Sequence, residues 1–166
     1  MADDKSELVN MVEKEAEQAE MVYHGCSRST LYALNKYLGY IPDELIIAST
    51  ALVAGCGTGG SCGAYCAGLL AIGLKYDPWI EEATSPEGQA KRALARAKEY
   101  EFRDAFIREF GSTLCADIQE RLLGRSWSPM NPEELQEFLS LPGVHEKCAI
   151  VAGKGARLAA EILLRE

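Results

Sequence analysis

Apolar positions along the chain recur mostly at intervals of three and four. In Ser6 to Val22, Leu8, Val9, Val12, Ala16 and Ala19 fall on one side of an otherwise charged segment, the signature of an amphipathic helix. Ser27 to Leu38 repeats the pattern with Leu31, Leu34, Tyr37 and Leu38, and Gly39 supplies a stop. Pro42-Asp43-Glu44 opens a third helix expected to reach Ala54. The glycine-rich stretch Gly55 to Ser61 follows, and a helix of small residues runs from Cys62 to Lys75. Asp77-Pro78 breaks the pattern. Ser85-Pro86-Glu87 then caps a long helix over Gln89 to Phe110, with Leu94, Ala97, Tyr100, Ala105, Phe106 and Phe110 as its expected buried face. Shorter helices are expected at Thr113 to Leu123 and after Asn131-Pro132, with Arg125 to Asn131 as a loop between them. Pro142-Gly143 breaks the chain before a last helix from Glu146 to Leu164.

No segment alternates as a strand does, and no repeat is evident. The pattern predicts an all-α, single-domain, compact bundle of six to eight helices around a Gly/Cys-rich central loop. Within it, residues 1–22 form an N-terminal charged helix and residues 23–166 a cysteine-containing helical domain.

Composition narrows the function classes. A chain of 166 residues with 48% hydrophobic content is long and apolar enough for one real core. Its formal charge of −8 argues against nucleic acid and against anionic membranes, and permits a basic protein partner. The start is rich in Glu and Lys and unlike a secretory signal, and the apolar runs Leu45 to Ala54 and Ala64 to Leu74 are too short to span a bilayer. The expected location is therefore the cytoplasm, where structural disulfides are rare.

That expectation gives weight to the six cysteines: Cys26, Cys56, Cys62, Cys66, Cys115 and Cys148. A single buried cysteine is often no more than a small hydrophobe. Six of them in a reducing compartment, three within eleven residues beside glycines, suggest metal binding, cluster binding or redox catalysis. Cys26, Cys62, Cys115 and Cys148 each fall at the expected start of a helix. Free backbone N–H groups and the positive end of the helix dipole favour thiolate there. Cys62 and Cys66, spaced i and i+4, share a helix face, and Cys56 can reach back across the glycine loop. His24 and His145 flank Cys26 and Cys148 as alternative ligands or proton donors, although an ordinary surface histidine explains either. Trp79 and Trp127 lie in loops, where packing is the simpler reading.

One motif competes. Gly55-Cys56-Gly57-Thr58-Gly59-Gly60 fits the G-x-G-x-x-G dinucleotide pattern, with Asp77 downstream for a ribose. The pattern needs a preceding strand and a parallel sheet, whereas the segment before it opens as a helix, so the motif carries little weight.

The run Cys62-Gly63-Ala64-Tyr65-Cys66-Ala67-Gly68, with Cys26 before it and Cys115 and Cys148 after it, resembles the redox-active family named for its four-cysteine pattern, C_GCAxxG_C_C. The resemblance extends from about Tyr23 to Leu164 and includes the run Gly68 to Tyr76 and Phe110-Gly111-Ser112-Thr113-Leu114-Cys115. One departure stands out: the pattern places a glycine at position 67, where this chain has Ala67, followed by Gly68. Cys56 and Cys66 are additions to the four. The resemblance implies an all-helical domain with a redox role, and a related domain in split-Soret cytochromes is associated with an iron–sulfur centre.

Three functions follow as expectations. In the first, Cys26, Cys62, Cys115 and Cys148 converge on an iron–sulfur cluster or other metal, for electron transfer or redox sensing with a redox partner protein. In the second, a metal-free thiol/disulfide oxidoreductase uses Cys62 as attacking thiol with Cys56 or Cys66 resolving. In the third, the chain is a non-catalytic helical adaptor whose cysteines are mostly core. The small-residue helix suits burial within the monomer as well as packing across the two-fold axis of a homodimer.

Overall fold

The structure, a computed structural model, describes residues 2–165; Met1 and Glu166, the outer bounds of the division drawn above, lie outside the described residues. Among these residues it is all helical, with eight α-helices and no named strand. The helices are α1 (Ala2–Tyr23), α2 (Cys26–Leu38), α3 (Asp43–Ala48), α4 (Gly63–Tyr76), α5 (Pro86–Phe110), α6 (Cys115–Leu123), α7 (Pro132–Leu139) and α8 (Val144–Leu163). None is long and apolar enough to cross a membrane.

The core forms around α8, which packs against α1, α2, α4 and α5. Its inner face is built from small residues, among them Ala152, Gly153, Gly155, Ala156, Ala159 and Ala160, all buried. Small side chains let four neighbours approach one helix, and Val12, Leu31, Leu34, Ile72, Phe102 and Phe106 fill the space between them. The small residues of α4 are used in the same way. Gly63, Ala64, Ala67, Gly68 and Ala71 are buried within the chain, so this helix spends its small face inside the monomer.

Caps read from the sequence hold. Ser85 Oγ accepts from Gly88 N–H at 3.0 Å with Pro86 in the first turn, and Asn131 Oδ1 accepts from Glu133 and Glu134 N–H. Gly39, Gly111 and Gly124 close α2, α5 and α6 in the left-handed conformation.

Three expectations are corrected. The third helix ends at Ala48 rather than Ala54, because Ser49 Oγ turns back to Ile46 O at 2.7 Å and a 3₁₀ turn, Ser49–Leu52, replaces the last α turns. The last helix starts at Val144, capped by Gly143, and so earlier than expected. The buried face of α5 is Ala95, Phe102, Phe106 and Phe110, while Leu94, Ala97 and Tyr100 are exposed. Positions 95, 102, 106 and 110 recur at helical spacing, so the face turned to the bundle is rotated from the one that Leu94, Ala97 and Tyr100 define, and Ala105 is half-buried at its edge. At the pattern glycine, Ala67 is fully buried without conflict. Gly68 is the position whose missing Cβ makes room for the Phe102 ring, which stacks on Tyr65 at 5.6 Å.

Candidate functional site

The glycine-rich stretch is a wide turn. Ala54, Gly55, Cys56 and Gly57 have φ of 56°, 64°, 57° and 69°, and Gly60 N–H donates to Gly55 O at 3.0 Å to close it. The segment before it is helix and 3₁₀ turn. The dinucleotide motif therefore lacks the strand it requires.

Beyond the turn, Ser61 pairs with Leu114 in a single antiparallel bridge. Cys62 N–H donates to Thr113 O and Cys115 N–H to Gly60 O, both at 2.7 Å. Two short hydrogen bonds thus fasten the start of α4 to the start of α6, and with them Cys62 to Cys115. Cys26 opens α2 beside them. The absent Cβ of Gly63 is what lets it in, since a methyl there would stand 2.5 Å from Cys26 Sγ.

Cys26, Cys62, Cys115 and Cys148 all line one cavity of about 210 Å³. Its remaining walls are mostly apolar, with Val53, Ile118, Leu122, Leu135, Phe138 and Val151, and Glu20, His24 and His145 also face it. The two imidazoles lie against each other with centroids 4.2 Å apart. Cys56 and Cys66 are not part of this cavity. Cys56 is exposed on the turn, and Cys66 lines an open groove with Leu45, Leu52, Leu69 and Leu70. Among the described residues, no three His, Cys, Asp or Glu side chains converge tightly enough to hold one metal ion.

Cys26 opens α2, Cys62 caps α4 and Cys115 opens α6, as expected, but Cys148 lies in the second turn of α8 because that helix begins at Val144. The electrostatic consequence differs too. Only the Cys26 thiol is lowered. It accepts from the Cys62 thiol and from the N–H groups of Ala54 and Ser27, and these outweigh burial and the Glu20 charge. Cys62 is raised well above the usual thiol range, first because its proton is committed to Cys26 and then by burial. Burial pushes Cys115 up to about 11 and Cys148 up to about 12. Desolvation therefore outweighs the helix ends at Cys115 and Cys148, while Cys26 and Cys62 share one proton-linked pair.

Two polar residues that the sequence did not single out support the site. Glu20 is 5% exposed; its Oε2 accepts from Gly25 N–H at 2.8 Å and from Ser29 Oγ at 3.0 Å. Burial raises its carboxyl, and those hydrogen bonds partly offset this. Gln119 donates from Nε2 to Cys115 Sγ at 3.5 Å and accepts from Trp127 N–H at 3.0 Å, tying the thiol to the loop before α7. Trp127 is buried against Phe138, whereas Trp79 is 70% exposed.

Glu20→Gln keeps the acceptor oxygen and removes the negative charge that raises Cys26. The pH midpoint for alkylation of Cys26 in metal-free protein is expected to move down. An unmoved midpoint would mean that Glu20 exerts no field on the thiol.

Residues 24–162 match the model of one family, described as "Putative redox-active protein (C_GCAxxG_C_C)". No curated protein and no solved structure is found to match the chain.

Proposed function

The chain belongs to the C_GCAxxG_C_C family, and from that membership we propose that Cys26, Cys62, Cys115 and Cys148 hold an iron–sulfur cluster used in electron transfer or redox sensing. One observation carries this reading: of the six cysteines, the four that match the family pattern line one cavity and the two additions do not. The donor set suits the group, because iron–sulfur clusters are commonly held by four thiolates that need not be adjacent in sequence.

When bound, such a cluster supplies a redox couple whose potential depends on charge, hydrogen bonding and exposure. The chain's own part is to set those terms. The N–H groups of Ala54 and Ser27 point at Cys26 Sγ and the Gln119 amide at Cys115 Sγ, offsetting negative charge on sulfur. The walls from α6, α7 and α8 are mostly apolar and lower the polarity around the sulfurs. Glu20, by contrast, adds a negative charge, which favours the more oxidised state of the site. With a net charge of −8, a basic redox partner protein is the natural electron donor or acceptor. A cytoplasmic location fits six free cysteines.

Anaerobic purification should give a sample with broad visible absorption and with iron and acid-labile sulfide in comparable amounts. Uptake on reconstitution should improve as pH rises, since the raised Cys62, Cys115 and Cys148 thiols must lose protons to bind. A colourless protein that takes up neither iron nor sulfide at any pH would end the cluster reading. A metal-free thiol/disulfide oxidoreductase using Cys62, which is hydrogen-bonded to Cys26, would then be the reading to pursue.

A further inference from the structure

Helix α5 carries a second apolar line that faces away from the core. Ala90, Ala93, Ala97, Tyr100, Asp104 and Ile107 follow one another at alternating steps of three and four, the spacing of a seam between two helices. Only Asp104 among them is charged. At about 100° per residue the line lies nearly opposite the core face of Ala95, Phe102, Phe106 and Phe110. All six residues are exposed. Tyr100 and Ile107 keep 49% and 40% of their surface open, and Leu94, at the edge of the line, keeps 49%. The outer side of a surface helix is ordinarily polar, so a continuous line of this kind marks a contact.

The line is polarised in two ways. Its first half is alanine, at 90, 93 and 97, and its second half holds the large side chains Tyr100 and Ile107. Charge on α5 divides at the same place. Residues 87–98 set Lys91, Arg92, Arg96 and Lys98 against Glu87 alone, whereas residues 99–110 set Glu99, Glu101, Asp104 and Glu109 against Arg103 and Arg108. One occupant matches both gradients: the same helix, reversed. With a two-fold axis between positions 97 and 100, Ala97 faces Tyr100 and Ala90 faces Ile107, so each large side chain meets an alanine. The cationic half of one helix lies along the acidic half of the other, and Arg108 comes to Glu87 of the second copy. Asp104, already held by Arg103 of its own chain at 2.8 Å, falls beside alanine 93. A parallel pair would instead set Tyr100 on Tyr100 and like charges together.

We propose that α5 pairs antiparallel with α5 of a second copy of this chain, about a two-fold axis between Ala97 and Tyr100, in a reversible homodimer. The small face of α4, the other feature suited to such an axis, is already buried within the monomer. No residue of α5 lines the four-thiol cavity, so the dimer carries two such cavities, both outside the contact. The pairing does not depend on what those cavities hold.

The test is sedimentation equilibrium of the full chain from micromolar to millimolar concentration, with iron measured on the same samples. The mass is expected to rise from monomer to dimer. Ala97→Glu places a charge against Tyr100 on both sides of the axis and should hold the chain at monomer mass. Position 97 is exposed and glutamate is a good helix former, so the fold should survive, which circular dichroism checks. Glu87→Arg and Arg108→Glu should each raise the concentration for half-dimerisation by about tenfold, because the two-fold makes every contact twice. The two together restore opposite charges across the seam and should return it towards the original value. A chain that stays monomeric at every concentration would leave this face to a different protein and overturn the proposal. So would a dimer that persists in Ala97→Glu, or a double variant no tighter than the single ones, whatever the iron content.

Discussion

Replacing any one of Cys26, Cys62, Cys115 or Cys148 by alanine is expected to lower the iron that co-purifies anaerobically by about tenfold or more, the scale on which even outer-shell changes weaken metal sites. Cys56→Ser and Cys66→Ser should retain it. The contrast follows from placement, since all six thiols are free and only four face the cavity. It also separates the readings. An adaptor whose cysteines are packing residues predicts that Cys62→Ala, at a buried position, changes stability and nothing else. Cys115 and Cys148 are only half-buried, so their variants should fold and make the comparison clean. Thermal unfolding of the metal-free forms checks this. Iron retained in both variants would remove the four-thiol assignment even if the protein is coloured.

Much of this arrangement is legible in the sequence, for reasons that differ by element. The helices of α1, α2, α4 and α8 show because each has one face against the core, so burial imposes the three-and-four spacing. On α5 the face against the core is Ala95, Phe102, Phe106 and Phe110, and the apolar residues Leu94 and Tyr100, rotated away from it, lose that meaning. The site was readable as a set of cysteines and not as a geometry. What joins Cys62 to Cys115 is the Ser61–Leu114 bridge, a backbone contact between segments more than fifty residues apart with no side-chain signal. The thiol acidities were misjudged for a related reason. A helix N-terminus can be inferred from caps and prolines, but the depth at which it is buried cannot, and depth decides the direction at Cys115 and Cys148. Glu20 carried no signal because a glutamate in a charged helix reads as surface, while its fold position is beneath the α1–α2 turn.

Gly68→Ala and Gly73→Ala are expected to change stability in opposite directions although both lie in α4. At position 73 an added methyl meets only Asp77 Oδ2 at 3.6 Å, an ordinary contact, and glycine inside a helix costs about 0.5–1 kcal/mol relative to alanine. That variant should gain about this amount. At position 68 the methyl would overlap the Phe102 ring, which is fully buried and confined by Tyr65 and Phe106 at centroid distances of 5.6 and 5.9 Å. The ring cannot move without displacing the packing of α4 on α5, and overpacking of this kind costs about 1–3 kcal/mol, more than the helix propensity returns. Chemical denaturation of the metal-free forms reads both signs. Gly63→Ala extends the series into the site, since its methyl would press on Cys26 Sγ, so it should lose iron as well as stability. Should Gly68→Ala stabilise as Gly73→Ala does, the close seating of Phe102 on α4 would be wrong. With it would go the reason this chain carries glycine at 68 and alanine at 67.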